Sequence, residues 1–377
     1  MPAKIIEEKI ISHPRGYCEA WPTLVKRSSG ELTLVYSGGR DSHICPFGRI
    51  EMMVSHDDGE TWSWPRIILD SDIDDRDAGI VETSCGTLLV TTFSHSYYED
   101  IIRDVEKGLK VPFMAEGQVR GELLVPERLP FWRAARDRVG SDERKAQTGE
   151  WVVRSIDGSR SWSPQYRCLV TSPHGPTLLR DGRIIHLGKE FREGAHRIGA
   201  CESKDDGMTW DWLAEIPEVT EFPHSGLHEL HAVEASDGSI VAHIRNHNVS
   251  HKFEILQSIS TNGGHSWSNP HPTGVWGFPS HLLRMQDNRL LMTYSYRRAP
   301  YGICARFSND NGKTWSNQLM VSADCDCPDF GYPSTVELSS GILLTVWYEA
   351  RGDSSKTVLR QAKWTFAEDL SSVPPPA

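Results

Sequence analysis

Along most of the chain, apolar runs of four or five residues come in pairs, each pair split by a turn that contains Gly or Asp. The pairs are 21–25 with 32–36, 78–82 with 88–91, 176–179 with 184–187, 230–234 with 240–244, 280–283 with 290–294, and 333–337 with 343–347. Short apolar runs joined by turn residues predict β-hairpins, six in all. Between the pairs an octapeptide, Ser-x-Asp-x-Gly-x-Thr-Trp, recurs five times. The copies begin at Ser55, Ser155, Ser203, Ser260 and Ser308 and end at Trp62, Trp162, Trp210, Trp267 and Trp315, with Ser159 and Asn262 as the main departures. Asp or Asn is expected to bond its own backbone two residues on, Gly to take a positive φ, and Trp to pack into the sheet. The boxes therefore read as structural fasteners rather than catalytic acids.

A hairpin completed by the two outer strands flanking a box is one four-stranded blade, so the repeats predict an all-β, six-bladed β-propeller of antiparallel blades. The whole chain, 1–377, reads as a single propeller domain. The sixth hairpin has no box after it, and a strand around Lys4 to Ile11 is expected to complete that blade and close the ring. Successive box tryptophans lie 100, 48, 57 and 48 residues apart, so blade two carries an insertion, 98–149. Its segments 99–107 and 131–139 have apolar residues at helical spacing, which predicts a partly helical insertion serving as a lid or a homo-oligomer contact.

Composition narrows the partners. With 38% hydrophobic and 24% charged residues the chain can bury a large core. A net charge of −11 argues against nucleic acid or an anionic membrane as partner. No apolar run reaches signal-peptide or membrane-span length, so a cytoplasmic location is expected. Eight scattered cysteines read as reduced thiols. No HExxH, EF-hand or paired-cysteine spacing is present, so neither a metal nor another cofactor is expected.

Propeller geometry lists the residues that ring one mouth of the central channel: those just before each inner strand and just after each second strand. Before the inner strands stand Glu19, Arg76 with Asp77, His174, Glu229, His281 and Tyr332. After the second strands stand Arg40, Lys189 with Glu190, Arg245, Arg297 and Glu349. The arginines, in a chain of opposite net charge, point to a carboxylate or sulfate held by guanidinium forks. His13, His56, His95 and His265 read as surface residues.

Boxes of this kind in a six-bladed propeller resemble those of the sialidases, over nearly the whole chain outside the insertion. The resemblance implies that Tyr332, in Phe330-Gly-Tyr-Pro, is a nucleophile and that Glu229, in His228-Glu-Leu-His-Ala-Val-Glu234, activates it. It implies that Arg245 and Glu349 belong to the site. Where sialidases carry an Arg-Ile-Pro motif this chain has Ala20-Trp21-Pro22, and the general acid falls to Asp41 or His43. Arg306, with Arg297 and Arg298 as rivals, would be a further substrate arginine. With these departures the chain resembles the broad sialidase-like group more closely than the true sialidases. The implied activity is a retaining exo-glycosidase acting on an acidic oligosaccharide or glycoconjugate. A polysaccharide lyase acting on uronic-acid sugars and a non-catalytic carbohydrate-binding propeller are the alternatives.

Overall fold

The computed structural model describes all residues except 1–2, 13–15, 116–117, 193–194, 340, 352–355 and 367–377. Six four-stranded antiparallel sheets form the propeller. From the channel outward, blade one comprises Cys18–Lys26, Leu32–Arg40, Arg49–Ser55 and Arg66–Leu69. Blade two comprises Asp74–Glu82, Leu88–His95, Gly149–Ser155 and Tyr166–Arg167. Blades three, four and five follow in order, with inner strands Thr177–Leu178, Leu227–Glu234 and Ser280–Arg284. Blade six takes Phe330–Ser339, Ile342–Ala350 and Thr357–Thr365, and its outermost strand is Lys4–Ile10 from the other end of the chain. That strand pairs antiparallel with Thr357–Thr365 from Lys4 opposite Thr365 to Ile10 opposite Arg360 and closes the ring, as the sequence predicts.

Each box joins the third strand of its blade to the fourth, on the face opposite the predicted mouth. In the first copy Ser55 Oγ donates to Asp57 Oδ1 at 2.8 Å and accepts from the Gly59 N–H at 2.9 Å. Asp57 accepts from the Thr61 N–H at 2.9 Å and from its hydroxyl at 2.6 Å. The other four boxes repeat this pattern, except that Asn262, standing in for the aspartate, donates its Nδ2 to the Ser266 hydroxyl rather than accepting from it. The Asp thus reaches the backbone four residues on, not two. Its two oxygens span the loop, a job that the expected local turn would not do.

The tryptophans do more than close turns. Trp62 packs in the core between blades six and one, Trp162 between one and two, and Trp210 between two and three. Trp267 and Trp315 continue the series at the next two interfaces. The interface between blades five and six has no box and is filled instead by Trp347, Trp364 and Phe307. Each box tryptophan therefore joins its own blade to the preceding one. Trp267, 7% exposed, illustrates the energy involved. Trp267→Ala is expected to cost about 3–5 kcal/mol, read as a lowered urea midpoint with the m-value unchanged.

The insertion contains three helices, α1 (Tyr98–Glu106), α2 (Leu129–Arg136) and α3 (Ser141–Gln147), and a hairpin of Pro112–Ala115 with Gln118–Glu122. Tyr98, Ile101, Ile102 and Trp132 bury an apolar face against Cys45 and Ile73 of the adjoining blade loops. Its hairpin leans across the mouth. Phe113 stacks on His43 of blade one at 4.9 Å, and Gln118 Nε2 donates to Tyr301 Oη of blade five at 3.1 Å. Among the described residues no helix is long and apolar enough to cross a bilayer.

Candidate active site

In blades one, two, four and six the inner strand begins three or four residues earlier than its apolar run suggests, and each extension ends in a bulge. Pairing slips between Ala20 and Thr23, Arg76 and Gly79, His228 and Leu230, and Gly331 and Ser334. At those bulges Trp21, Asp77, Glu229 and Tyr332 all take positive φ, from 45° to 56°. A non-glycine residue in this region costs on the order of 1–3 kcal/mol, and four at equivalent positions mark a place where orientation is worth strain. The bulge breaks the in-out alternation and turns these side chains into the mouth. Beneath them the backbones of blades two and three touch, because a Cβ on Gly79 would lie 2.2 Å from Gly175 Cα.

Three of the predicted residues form one hydrogen-bonded chain. Arg245 Nη1 donates to Glu229 Oε2 at 2.6 Å and to Tyr332 Oη at 3.2 Å, and Tyr332 Oη donates to Glu229 Oε1. Burial pushes the Glu229 carboxyl up, but the Arg245 guanidinium and the Tyr332 hydroxyl outweigh it and hold it below the usual glutamate range. It is therefore an ionised acceptor. Burial and then the Glu229 charge push the Tyr332 phenol well above its ordinary value, against the pull of Arg245. Tyr332 keeps its proton at rest, and a base already sits on that proton.

Asp77, Glu229 and Arg245 line a cavity of about 230 Å³ with Lys189, His228 and His247. Asp77 is 8% exposed, and its Oδ1 is buried with no hydrogen-bond partner. Burial raises its carboxyl to about 6, with Arg76 opposing and Glu229 adding to the rise. A carboxylic acid poised near neutrality beside an ionised carboxylate is a pairing suited to proton transfer.

A second group surrounds Trp21. The guanidiniums of Arg76 and Arg40 lie 4.2 and 5.0 Å from its ring, with His43 edge-on at 5.1 Å and Tyr332 at 6.4 Å. Ala20 stands where the resemblance leads one to look for an arginine, and the next residue, Trp21, is stacked under two arginines instead. Arg245 and Arg297 lie 4.3 and 5.0 Å from the Phe278 ring. His231 and His281 stack at 4.6 Å, and His174 sits edge-on to both at 5.3 and 5.4 Å and 6.4 Å from the Tyr332 ring. Neither ring nitrogen of the buried His174 has a hydrogen-bond partner. His231 was not singled out from the sequence, although it lies two positions after Glu229 on the same strand.

Other predicted residues lie elsewhere or are occupied. Asp41 Oδ2 accepts from Arg128 at 2.6 and 2.9 Å and from Trp132 Nε1 at 3.1 Å, all from the insertion. Burial and the guanidiniums of Arg76, Arg40 and Arg297 hold His43 well below the usual imidazole range, so it carries no acid proton at pH 7. Arg40 is fully buried in an ion pair with Asp74 at 2.7 Å. Glu19 is buried, and its carbonyl accepts from Thr357 Oγ1. Glu349 faces away from the cavity into blade six, where Arg360, Arg351 and the Trp347 indole N–H bond it. Arg306 lies on a third strand and donates to Ser316 O and Tyr294 Oη, outside the cluster. His95, read as a surface residue, is 3% exposed and neighbours Asp74, while His13 lies outside the described residues.

Among solved structures, a Dyadobacter fermentans protein of unknown function is similar over 97% of this chain and 99% of its own, at 22% identity and a TM-score of 0.76. The Hadza microbial sialidase Hz136 is similar over 95% of this chain and 66% of its own, at 17% identity and a TM-score of 0.63. The NanB sialidase from Streptococcus pneumoniae is similar over 98% of this chain and 71% of its own, at 15% identity and a TM-score of 0.63. Identities this low establish a shared fold. No curated protein matches the sequence. Residues 138–345, more than half of the chain, match the BNR repeat-like domain family. The chain therefore belongs to the BNR repeat-like domain family, and it shares the six-bladed propeller fold of these solved structures.

Proposed function

We propose that this protein is a retaining exo-glycosidase for an acidic sugar, with Tyr332 as nucleophile, Glu229 as its base and Asp77 as the acid. The observation that carries the reading is the chain Arg245–Glu229–Tyr332, hydrogen-bonded on strained bulges at the channel mouth. Tyr332 Oη attacks the anomeric carbon while its proton passes to Glu229 Oε1. The glycosidic C–O bond breaks, and the leaving oxygen takes its electron pair and the proton of Asp77. Water, deprotonated by Asp77, then displaces the phenolate, which recovers its proton from Glu229. A neutral phenol suits an anomeric carbon that bears a carboxylate, because an anionic nucleophile would be repelled there. Arg245 and Arg297, side by side on Phe278, are the guanidiniums for that anion. The insertion hairpin over blades one and five walls off one side of the mouth, which favours a chain end over a chain interior.

Asp77 takes the acid role in place of Asp41 and His43, since the former is paired with Arg128 and the latter has lost its proton. The role sets a pH profile. The acid form of Asp77 is lost as pH rises through about 6, so kcat/KM falls on that side. The ionised form of Glu229 is lost only below the usual glutamate range, which sets the acidic limb. Asp77→Asn is expected to abolish the limb near 6 and to lower kcat by roughly 10²–10⁴-fold. An unchanged limb in Asp77→Asn overturns the assignment. The unpartnered nitrogens of His174 favour one second reading, a lyase that passes a proton between Tyr332 and His174. Proton NMR of the first product decides between them: a retained anomer supports the hydrolase, and an unsaturated uronate supports the lyase.

A further inference from the structure

Away from the mouth, three strands bring together donors that lie 18 and 15 residues apart in sequence and that no spacing motif connects. Cys168 follows the outermost strand of blade two. His186 and Cys201 face each other in register on the paired strands Ile184–Arg192 and Ala195–Ser203 of blade three. Cys168 is 4% exposed and the other two are fully buried, in a core with Val152, Ile184 and Trp210. One donor atom from each lies within 4.8 Å of the others, with Cys168 Sγ 3.6 Å from His186 Nδ1. Ligands about 2.3 Å (sulfur) and 2.0–2.1 Å (nitrogen) from a tetrahedral ion stand roughly 3.5–3.8 Å apart, so the cluster is at or near ligand spacing.

We propose that Cys168, His186 and Cys201 form a binding site for one zinc ion. Charge selects the ion. Two thiolates and a neutral imidazole around Zn²⁺ sum to zero, whereas around a monovalent soft cation they leave a net negative charge in an apolar core. Cys168 also lines a cavity of about 370 Å³ together with Glu150, Glu190 and His95, which offers a path for the ion and for a water as its fourth ligand. Coordination through Nδ1 places the imidazole proton on Nε2, a buried atom with no hydrogen-bond partner beside the Trp210 ring. Binding replaces two S–H bonds by two Zn–S bonds and releases two protons, so affinity falls as pH is lowered.

The site would fasten the irregular segment that runs from Cys168 to His174 and Gly175. Blade three needs such a fastener, because its inner strand is only two residues long. The zinc thereby stiffens one wall of the cavity beside Asp77 without taking part in the chemistry.

The full-length protein, purified under reducing conditions, is expected to hold one zinc per chain by elemental analysis. Replacement by Co²⁺ should give a thiolate-to-cobalt charge-transfer band and the intense visible bands of a tetrahedral site. Chelation should lower the Tm by several degrees, and zinc alone should restore it. Cys201→Ala and Cys168→Ser should bind no zinc and show a Tm indifferent to chelator. Substoichiometric zinc with no charge-transfer band overturns the site, as does a Cys168–Cys201 disulfide in the native protein or an undiminished cobalt spectrum in Cys201→Ala. Copper bound in place of zinc overturns the choice of ion. Should a variant fail to fold, the cobalt spectrum and the chelation response of the wild-type chain decide on their own.

Discussion

Tyr332→Phe is expected to lower kcat on an acidic glycoside by on the order of 10⁴-fold or more while KM and Tm stay near wild-type values. Only one hydroxyl is lost, and the ring keeps its contacts with Trp21 and Tyr348. The size of the loss follows from the proposed chemistry, in which the phenol forms the covalent bond as its proton passes to Glu229. A fluorinated sugar with a good leaving group should label wild-type Tyr332, seen as a mass increment on its peptide, and leave the variant unlabelled. Full turnover in the variant rules out a tyrosine nucleophile. Loss of turnover accompanied by an unsaturated product from the wild type would move the protein to the lyases.

The second large effect belongs to Arg245. Its ion pair with Glu229 is mostly buried, with side-chain exposures of 12% and 17%. Removing one partner of such a pair strands the other charge in a low-dielectric site and typically costs about 3–5 kcal/mol. Arg245→Ala should lose stability on that scale in urea titrations at pH 7. The sign with pH is fixed. Arg245 holds the Glu229 carboxyl below its unfolded value, so the stabilisation is present at pH 7 and is lost as pH falls through that depressed value. The difference between wild type and variant should therefore shrink on acidification. The variant should also bind an acidic substrate more weakly, because the same guanidinium faces the anion. Arg66→Ala, on an exposed outer strand of blade one, should change neither quantity by more than about 0.5 kcal/mol. Equal effects at the two sites would remove Arg245 from the anion site.

The parts of this molecule legible in its sequence are those that repeat or that follow from strand order. The five boxes announce the blades because an Asp, a Gly and a Trp at fixed spacing meet the same local demands each time. Tyr332, Glu229 and Arg245 were found because a propeller returns every inner strand to the same mouth. Orientation was less legible. Glu349 and Arg306 sit near the ends or the middle of the right strands, but their partners, Arg360 for one and Tyr294 for the other, come from neighbouring strands whose register no single segment records. Asp41 was read as a free acid because Arg128 and Trp132 reach it from the insertion, the one region without a repeat to anchor prediction. His95 was assigned to the surface by residue type, yet it is enclosed by Phe93, Tyr97 and Asp74. Asp77 was seen only as a binding residue, since the burial that raises its carboxyl to about 6 depends on the bulge turning it inward.

The strand that closes the ring sets a clock on the protein's birth. Lys4–Ile10 leaves the ribosome long before its partner Thr357–Thr365 is made. At about 5–20 residues per second, the strand waits roughly 20–70 s for its mate. It carries Ile5, Ile6 and Ile10, all more than a third exposed even when paired, so through that interval it is an apolar strand with both edges open. Glu7, Glu8 and Lys9 sit in its middle. Besides their ion pairs in the finished ring, their charges are expected to oppose pairing with another nascent chain. Making these charges apolar should leave the folded protein standing while lowering its soluble yield in proportion to the speed of expression.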